Sequence, residues 1–135
     1  MLPAPKVSIE YYYDQESDSY IKGIRLLADY EFLFEIPGDP SVKPFRIRIP
    51  EGFLSDGASV PRLFWRLLSP PIDPQTIAPS IVHDYLYVNG ARLGLTRKIV
   101  DLWYSNALSQ QGYPAWKCNL TYCGIRIGGA SHWLG

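Results

Sequence analysis

Residues 30–36 have the sequence "YEFLFEI", and this run decides the fold of the N-terminal half of the chain. Its large apolar side chains alternate with residues that include Glu31 and Glu35, a period of two that is typical of a strand with one buried face. Residues 45–49, "FRIRI", alternate in the same way, and the turn-rich "PGDPSVKP" of residues 37–44 connects the two runs. The pattern predicts an antiparallel sheet with one face in water.

Two further strands are predicted upstream, at "VSIEYYY" (residues 7–13) and "SYIKGIRLL" (residues 19–27), with the polar turn "DQESDS" between them. Consecutive strand residues point to opposite faces of a sheet. At least one of Tyr11, Tyr12 and Tyr13 is therefore expected to be exposed.

The second half of the chain predicts helices. Residues 73–87, "DPQTIAPSIVHDYLY", offer Asp73 as an N-cap and Pro74 at the first helical position. Pro79 falls inside this segment, so the helix either starts later or is kinked there. The Asn-Gly pair at residues 89–90 is expected to end it.

A second long helix is predicted for residues 95–112, "LTRKIVDLWYSNALSQQG", with a cap at Thr96 and an end at Gly112. A short helix bounded by prolines is predicted for residues 60–71, "VPRLFWRLLSPP". The last stretch, residues 117–135, is predicted to be a strand or an irregular tail.

Strands followed by helices indicate an α+β fold. The expected organisation is a single domain over residues 1–135, with residues 1–50 mainly β, residues 58–112 mainly helical and residues 113–135 a strand or irregular. In outline, an N-terminal antiparallel β-sheet is followed by an antiparallel helix pair and a short C-terminal strand or tail.

The composition is that of an ordinary globular chain rather than a disordered one. Of the 135 residues, 47% are hydrophobic and 19% are charged, and 13 basic residues balance 13 acidic ones. Because no basic field is present, nucleic acid is not an expected partner.

The two cysteines, Cys118 and Cys123, form a lone C-x4-C pair, and His83 and His132 are the chain's two histidines. Free thiols are expected, with a disulfide as the alternative. Structural zinc is disfavoured, because a zinc site normally needs four ligands and only His83 and His132 could complete one. The start "MLPAPKVSIE" lacks the pattern of a signal peptide, and no apolar run reaches the ~18 residues of a transmembrane span. A protein made and kept in the cytoplasm is expected, unless it leaves by lysis or inside a larger particle.

Residues 81–87, "IVHDYLY", contain the most chemically suggestive group of side chains. On a helix, these side chains would occupy one polar arc opposite an apolar one: Ser80, His83, Asp84 and Tyr87. A connection of roughly seven residues to the next helix favours an antiparallel pair. That pairing would set Asp101 against His83.

Such an arrangement predicts a specific chemistry. His83 would activate water, with Asp101 holding the ring in the right tautomer and Tyr87 donating a hydrogen bond to that carboxylate. Asp84 points about 100° away from His83 on a helix, so it would serve a separate function and hold a divalent cation that stabilises an oxyanion. The alternative is a polar helix face that is simply turned to solvent.

A second cluster lies in residues 50–65, "PEGFLSDGASVPRLFW". Asp56 either caps the following helix or completes the cation site begun by Asp84. Ser59 is a weaker candidate, as a nucleophile. Arg62 either pairs with one of these carboxylates or lies on the surface.

Three segments taken together resemble an uncharacterised family of small proteins from tailed bacteriophages and prophages: "IPEGFLSDGASVPRLFW", "APSIVHDYLY" and "TRKIVDLWYSNAL". The resemblance runs from about Phe45 to Leu108 and implies a phage origin without assigning an activity. Ser55 stands where the family more often has threonine, which keeps a hydroxyl group in place.

A shorter resemblance concerns the site. "HDYLY", followed by Asp101 on the next helix, is similar to the His-Asp-x-x-Tyr helix and partner aspartate of the phospholipase A2 superfamily. It implies that His83 is the general base, Asp84 the calcium ligand, and Asp101 with Tyr87 the orienting pair. The cysteines that flank this helix in that superfamily are absent, and "SDGAS" would have to replace its Gly-x-Gly calcium loop.

These observations lead to the expectation of a phage accessory protein, virion- or lysis-associated, with a metal-assisted hydrolase site that acts on the host envelope. A lipid ester is the first expected substrate, a cell-wall bond is the second, and Ca²⁺ is the favoured cation. The alternative is a non-enzymatic virion component, a small tail or connector subunit, whose tyrosine-rich strands contact other virion proteins. A host-takeover factor is a third possibility. In each case the chain would be made in the bacterial host cytoplasm.

Overall fold

The structure, a computed structural model, describes residues 2–15, 18–55 and 77–134 of the chain. Within these ranges, five strands come first and three helices follow: β1 (Val7–Asp14), β2 (Ser19–Leu26), β3 (Tyr30–Phe34), β4 (Phe45–Ile49), β5 (Leu54–Ser55), α1 (Ile77–Asn89), α2 (Arg97–Gln110) and α3 (Ala115–Gly128). Short 3-10 turns, Ala91–Leu93 and Ala130–His132, follow α1 and α3. The predicted α+β class is confirmed.

Within the described residues the strands form two antiparallel sheets, in the orders β1-β2-β5 and β3-β4. Pairing in the second sheet sets Tyr30 opposite Ile49. The alternation predicted for β3 is confirmed, because Tyr30, Phe32 and Phe34 are buried while Glu31 is exposed. A strand with this pattern can only present its aromatic face to the core.

The β1-β2 pair carries exposed tyrosines on its outer part. Tyr11 is 63% exposed and Tyr13 is 50% exposed, which confirms the expectation for the tyrosine run. Tyr20, opposite Tyr13 in the register, is 73% exposed, and the two rings contact each other edge to face at 5.6 Å.

Trp103 of α2 joins the β3-β4 sheet to the helices. Its ring stacks on Phe34 with centroids 5.8 Å apart and lies 5.7 Å from Phe32. The side chain is only 4% exposed, as expected for a core residue. Buried apolar residues from both sheets and all three helices belong to one cluster.

Helices α1 and α2 are antiparallel, because the contacts between them run in opposite chain directions. Ser80 contacts Tyr104 and His83 contacts Asp101, so a later residue of α1 meets an earlier residue of α2. The connection between the helices has the predicted length of seven residues, 90–96.

The expected helix boundaries are confirmed where the structure describes them. Thr96 caps α2 by accepting a hydrogen bond from the backbone N–H of Ile99, and Gly112 follows the end of this helix with φ of 98°. Pro79 lies in the first turn of α1, where its missing N–H removes no helical hydrogen bond. The predicted helix at residues 60–71 and the cap at residues 73–74 lie outside the described residues.

At the C-terminus, the structure has helix α3 where the sequence predicted a strand or an irregular tail. The buried face of α3 is built mainly from small side chains, with Cys118, Thr121, Gly124 and Ile125 turned inward. Such a face gives a weak apolar signal in the sequence, because helices are usually recognised by large aliphatic residues at these spacings. Small residues also allow α3 to approach α2 closely. Over the ranges that the structure describes, no helix has the length and hydrophobicity that crossing a membrane would require.

Two tryptophan substitutions test this packing. Trp103→Ala should lower the free energy of unfolding by about 3–5 kcal/mol, because it removes a buried ring and leaves a cavity between α2 and β3. Trp116→Ala, the same change at a side chain that is 59% exposed, should alter it by roughly 0.5 kcal/mol or less. Urea unfolding of both variants measures the difference, and equal losses would contradict the placement of Trp103 in the core.

Candidate active site

The centre of the site is a hydrogen bond between α1 and α2. His83 Nε2 lies 2.9 Å from Asp101 Oδ1, and the two residues are 2% and 0% exposed. A carboxylate can only accept here, so Nε2 carries the proton and donates it. The antiparallel helix pair therefore places a histidine and an aspartate in direct contact inside the protein.

Asp101 interacts with side chains from all three helices: hydrogen-bond donors on α1 and α3, and a nearby cation on α2 itself. The hydroxyl of Tyr87 on α1 donates to Oδ1 at 2.5 Å, and Nη1 of Arg126 on α3 donates to Oδ2 at 2.9 Å. Arg97, one turn before Asp101 on α2, brings its Nη1 to 3.8 Å from Oδ2. Both carboxylate oxygens are thus held in place.

The charges in this cluster are stabilised by one another. Burial alone would raise the pKa of Asp101, but the hydrogen bonds from His83, Tyr87 and Arg126 outweigh it and lower this pKa from its usual value of 3.8. Burial alone would lower the pKa of His83, but the carboxylates of Asp101 and Asp84 reverse the effect and raise this pKa above 6.5. The pKa of the Tyr87 hydroxyl is raised by burial and by Asp101, which keeps it a donor.

The second ring nitrogen of His83 faces another carboxylate. Nδ1 lies 3.9 Å from Oδ1 of Asp84, whose side chain is 12% exposed. The hydroxyl of Ser55, at the end of β5, donates to Oδ2 of Asp84. Asp84 therefore lies on the less deeply buried side of the histidine.

Aromatic rings fix the plane of the imidazole. The ring of His83 lies between those of Tyr87 and Tyr104, with centroid distances of 4.3 Å and 4.6 Å. Ser80 and Tyr104 share a hydrogen bond of 3.1 Å between their hydroxyl groups. With Nε2 committed to Asp101, Nδ1 is the nitrogen that can exchange a proton, in the manner of an oriented general base.

The structure brings together four of the predicted site residues and also buries Ser80. His83, Asp101, Tyr87 and Asp84 form one connected cluster, and Ser80 lies beside it, hydrogen-bonded to Tyr104. The alternative interpretation, that this arc of α1 faces solvent, is wrong, because Ser80, His83 and Tyr87 are all buried. Asp56, Ser59 and Arg62 lie outside the described residues.

The side chain of Asp84 offers a carboxylate, an oxygen ligand of the kind that Ca²⁺ prefers. The hydroxyl of Ser55 donates a hydrogen bond to this carboxylate. In the three described ranges no group of three or more His, Cys, Asp or Glu side chains is placed to hold an ion, so a site would need further oxygen ligands such as Asp56. The cysteines are free, with Cys118 buried and Cys123 exposed.

Three residues of the site were not predicted. Arg97 could have been found, because it stands four residues before Asp101 on the same helix, the spacing of a helical ion pair. Arg126 comes from α3, which the sequence did not indicate as a helix. Ser55 was noted only as a hydroxyl in place of threonine, and its contact with Asp84 spans 29 residues of sequence.

Comparison with known proteins places this chain beside proteins without an assigned activity. The family described as "Protein of unknown function (DUF1353)" matches residues 34–125, a range that includes His83, Asp84 and Asp101. An "Uncharacterized protein y4jT" from Sinorhizobium fredii (strain NBRC 101917 / NGR234) is 28% identical over 101 residues, which cover 73% of this chain and 29% of that relative. No solved structure matches the chain.

Removing the charge of Asp101 tests the network. Asp101→Asn should lower the free energy of unfolding at pH 7 by about 3–5 kcal/mol, because it leaves buried cations without their counter-ion. The lowered pKa of Asp101 stabilises the wild type above the ordinary carboxyl value near 4, and this advantage is lost as the pH falls through the lowered pKa. Urea unfolding of both proteins between pH 3 and pH 7 should show the gap closing at low pH.

The matched control is Asp29→Asn, which removes a carboxylate whose ion pair with Arg48 is exposed. Its effect should be much smaller, because solvent screens such a pair. Equal losses in the free energy of unfolding at the two positions would show that the buried contacts of Asp101 stabilise the fold no more than an exposed ion pair does.

Proposed function

Because the chain belongs to the DUF1353 family, whose description names no chemistry, we propose its function from the site itself: a hydrolase in which His83 activates water against an ester bond of the bacterial host envelope. The observation that carries this proposal is the bond of 2.9 Å between His83 Nε2 and Asp101 Oδ1. This hydrogen bond occupies Nε2 and orients the ring so that the other nitrogen, Nδ1, faces Asp84.

In the proposed mechanism, His83 acts in its neutral form. A water molecule gives a proton to Nδ1 as its oxygen attacks the carbonyl carbon of the ester, and the carbonyl electron pair moves onto oxygen. Asp101 stabilises the imidazolium formed in this step, while Tyr87 and Arg126 hold that carboxylate in position. Collapse of the tetrahedral intermediate expels the alkoxide, which takes the proton back from Nδ1 and leaves as the alcohol.

Asp84 and Asp56 are the residues that would hold the divalent cation, with Ca²⁺ favoured. When bound, the cation would supply stabilisation of the negative charge that develops on the carbonyl oxygen. The carboxylate of Asp84, an oxygen ligand of the kind that Ca²⁺ prefers, supports this part of the proposal.

The proposed setting is a bacteriophage, with the protein acting from the virion or during lysis. The resemblance of residues 45–108 to small phage proteins supports this setting. The envelope of the host then follows as the target, with a lipid ester as the first candidate substrate and a cell-wall bond as the second.

A non-enzymatic virion component is the second candidate function. It is favoured by the exposed aromatic surface of the β1-β2 pair, where Tyr11, Tyr13 and Tyr20 are 63%, 50% and 73% exposed. Tyrosine is enriched at protein interfaces, so this surface could contact other virion proteins. The ionic cluster of His83 would then fix the packing of the helices.

Hydrolysis of phospholipid esters tests the first candidate. The purified chain should release fatty acid from vesicles in the presence of Ca²⁺, and His83→Gln should reduce the rate by roughly 10²-fold or more, since a positioned base contributes 10²–10⁴-fold. Glutamine keeps an N–H that can reach Asp101 but cannot accept a proton.

The matched control is His132→Gln, which changes the chain's other histidine, an exposed one, in the same way. If folded His83→Gln retained its activity, His83 would not be the general base. Absence of hydrolysis of both lipid and cell-wall substrates, together with stoichiometric recovery of the chain from washed virions, would establish the structural alternative.

Thermal unfolding with Ca²⁺ tests the proposed cation site without any assumption about the substrate. At about 100 times its dissociation constant, a bound ion should stabilise the fold by about 2.7 kcal/mol, a shift of several degrees for a domain of this size. Asp84→Asn should abolish the shift. Glu35→Gln, which removes an exposed carboxylate in the N-terminal half of the chain, should leave the shift unchanged. An equal shift in both variants would show that the ion does not bind at Asp84.

A further inference from the structure

The outward face of α3 carries a continuous apolar stripe. Its members recur at spacings of four, three and four residues, which places them on one line along the helix: Trp116, Leu120, Cys123 and Ile127. The opposite face, with Cys118 and Ile125, is the one buried against the protein. Helix α3 is therefore apolar on both sides, although only one side has a partner within the described residues.

Three of the four stripe residues are exposed to solvent, and Leu120 is half-buried. Trp116 is 59% exposed and Ile127 is 76% exposed, and these two side chains are roughly 16 Å apart along the helix axis. Leu134, beyond the helix, is 71% exposed. Beside the start of α3 lies a groove of about 330 Å³ whose lining side chains are all uncharged, among them Leu102 and Ala115.

The charge of this region differs from that of the rest of the chain. All 13 acidic residues lie between positions 10 and 101, whereas residues 102–135 contain Lys117 and Arg126 and no acid. Arg126 is engaged by Asp101, but the ammonium of Lys117 lies over the ring of Trp116 at 5.7 Å. An aromatic ring and a cation thus stand together at one end of the stripe.

We propose that the outward face of α3 binds the surface of an anionic lipid bilayer, with the helix lying in the plane of the interface. Tryptophan is favoured at the boundary between headgroups and acyl chains, and aliphatic side chains such as Ile127 enter the apolar layer. Lys117 lies beside the stripe, where it can meet lipid phosphates. The absence of acid from residues 102–135 removes the repulsion that such a surface would otherwise produce.

A second copy of the chain fits the same stripe less well. In a parallel pair of α3 helices the two Lys117 side chains would meet, and in an antiparallel pair each Lys117 would lie toward an Arg126 that is already paired with Asp101. Neither arrangement offers Lys117 a carboxylate on the facing helix, because α3 contains no acidic residue. Like charges at an interface oppose association, so the charge pattern favours a lipid surface over self-association.

The inference goes beyond the proposed hydrolase and does not rest on it, because binding to vesicles is measured without turnover. A catalytically inactive His83→Gln protein should bind vesicles as the wild type does. Failure of one proposal is thus distinguishable from failure of the other.

Cys123 provides the probe for the experiment. It is exposed near the middle of the stripe while Cys118 is buried, so a polarity-sensitive fluorophore can be attached to Cys123 selectively. Vesicles of phosphatidylglycerol and phosphatidylethanolamine should shift its emission to the blue, and added salt should weaken the binding. Co-sedimentation of the unlabelled chain with the same vesicles guards against an effect of the label.

Substitutions on the stripe give the decisive comparison. Trp116→Ala and Ile127→Asp should each reduce the partition into these vesicles by about tenfold or more, since each removes apolar area that the interface would bury. The matched control is Leu27→Asp, an acid introduced at an aliphatic residue that is 50% exposed on the β2–β3 connection, and it should leave the partition within about twofold.

Several results would overturn the proposal. Absence of vesicle binding by the folded wild type would do so, as would binding that Ile127→Asp leaves unchanged. A chain that does not bind vesicles but forms a dimer that Ile127→Asp dissociates would assign the stripe to a second copy instead.

Discussion

The structure depends on keeping one carboxylate ionised inside the protein. Asp101 is fully buried, and burying an unpaired charge costs several kcal/mol. The compensation comes from His83 and Tyr87 on α1, from Arg97 on α2 itself and from Arg126 on α3. Because the hydrogen-bond donors belong to α1 and α3 and the carboxylate belongs to α2, the carboxylate is satisfied only when both helices pack against α2 in this arrangement. The register of the helical half thus follows from a single acceptor.

The C-terminal residues make this arrangement compact. A Cβ at Gly129 would lie 2.6 Å from the hydroxyl oxygen of Tyr87, so only glycine lets the end of α3 come so close. The backbone N–H of Leu134 donates to the carbonyl of Tyr87 at 2.9 Å, and the ring of Trp133 packs edge to face on that tyrosine. The segment after α3 therefore holds the same tyrosine that orients Asp101.

Sequence reasoning recovered the parts of this design that have a local signature. The strands follow from the period of two in residues 30–36 and 45–49, and the contact of His83 with Asp101 follows from helical spacing and a short connection. Helix α3 was missed, because the face that it buries, with Cys118, Thr121 and Gly124, lacks the large aliphatic residues that usually mark a core-facing helix, and its larger apolar residues lie on the outward side. Arg126 was missed for the same reason. The contact of Ser55 with Asp84 depends on tertiary packing that no local pattern encodes.

Stability alone does not explain why the helices meet at an ionic cluster. Buried ion pairs are often no more stabilising than apolar side chains of similar volume. The raised pKa of His83 favours the imidazolium, and a base must lose that proton before it can act. Asp84 is one of the two carboxylates that raise this pKa, and it lies on the less buried side of the ring. Positive charge placed against Asp84 would therefore lower the pKa of His83, which links occupation of that side to the readiness of Nδ1 to accept a proton.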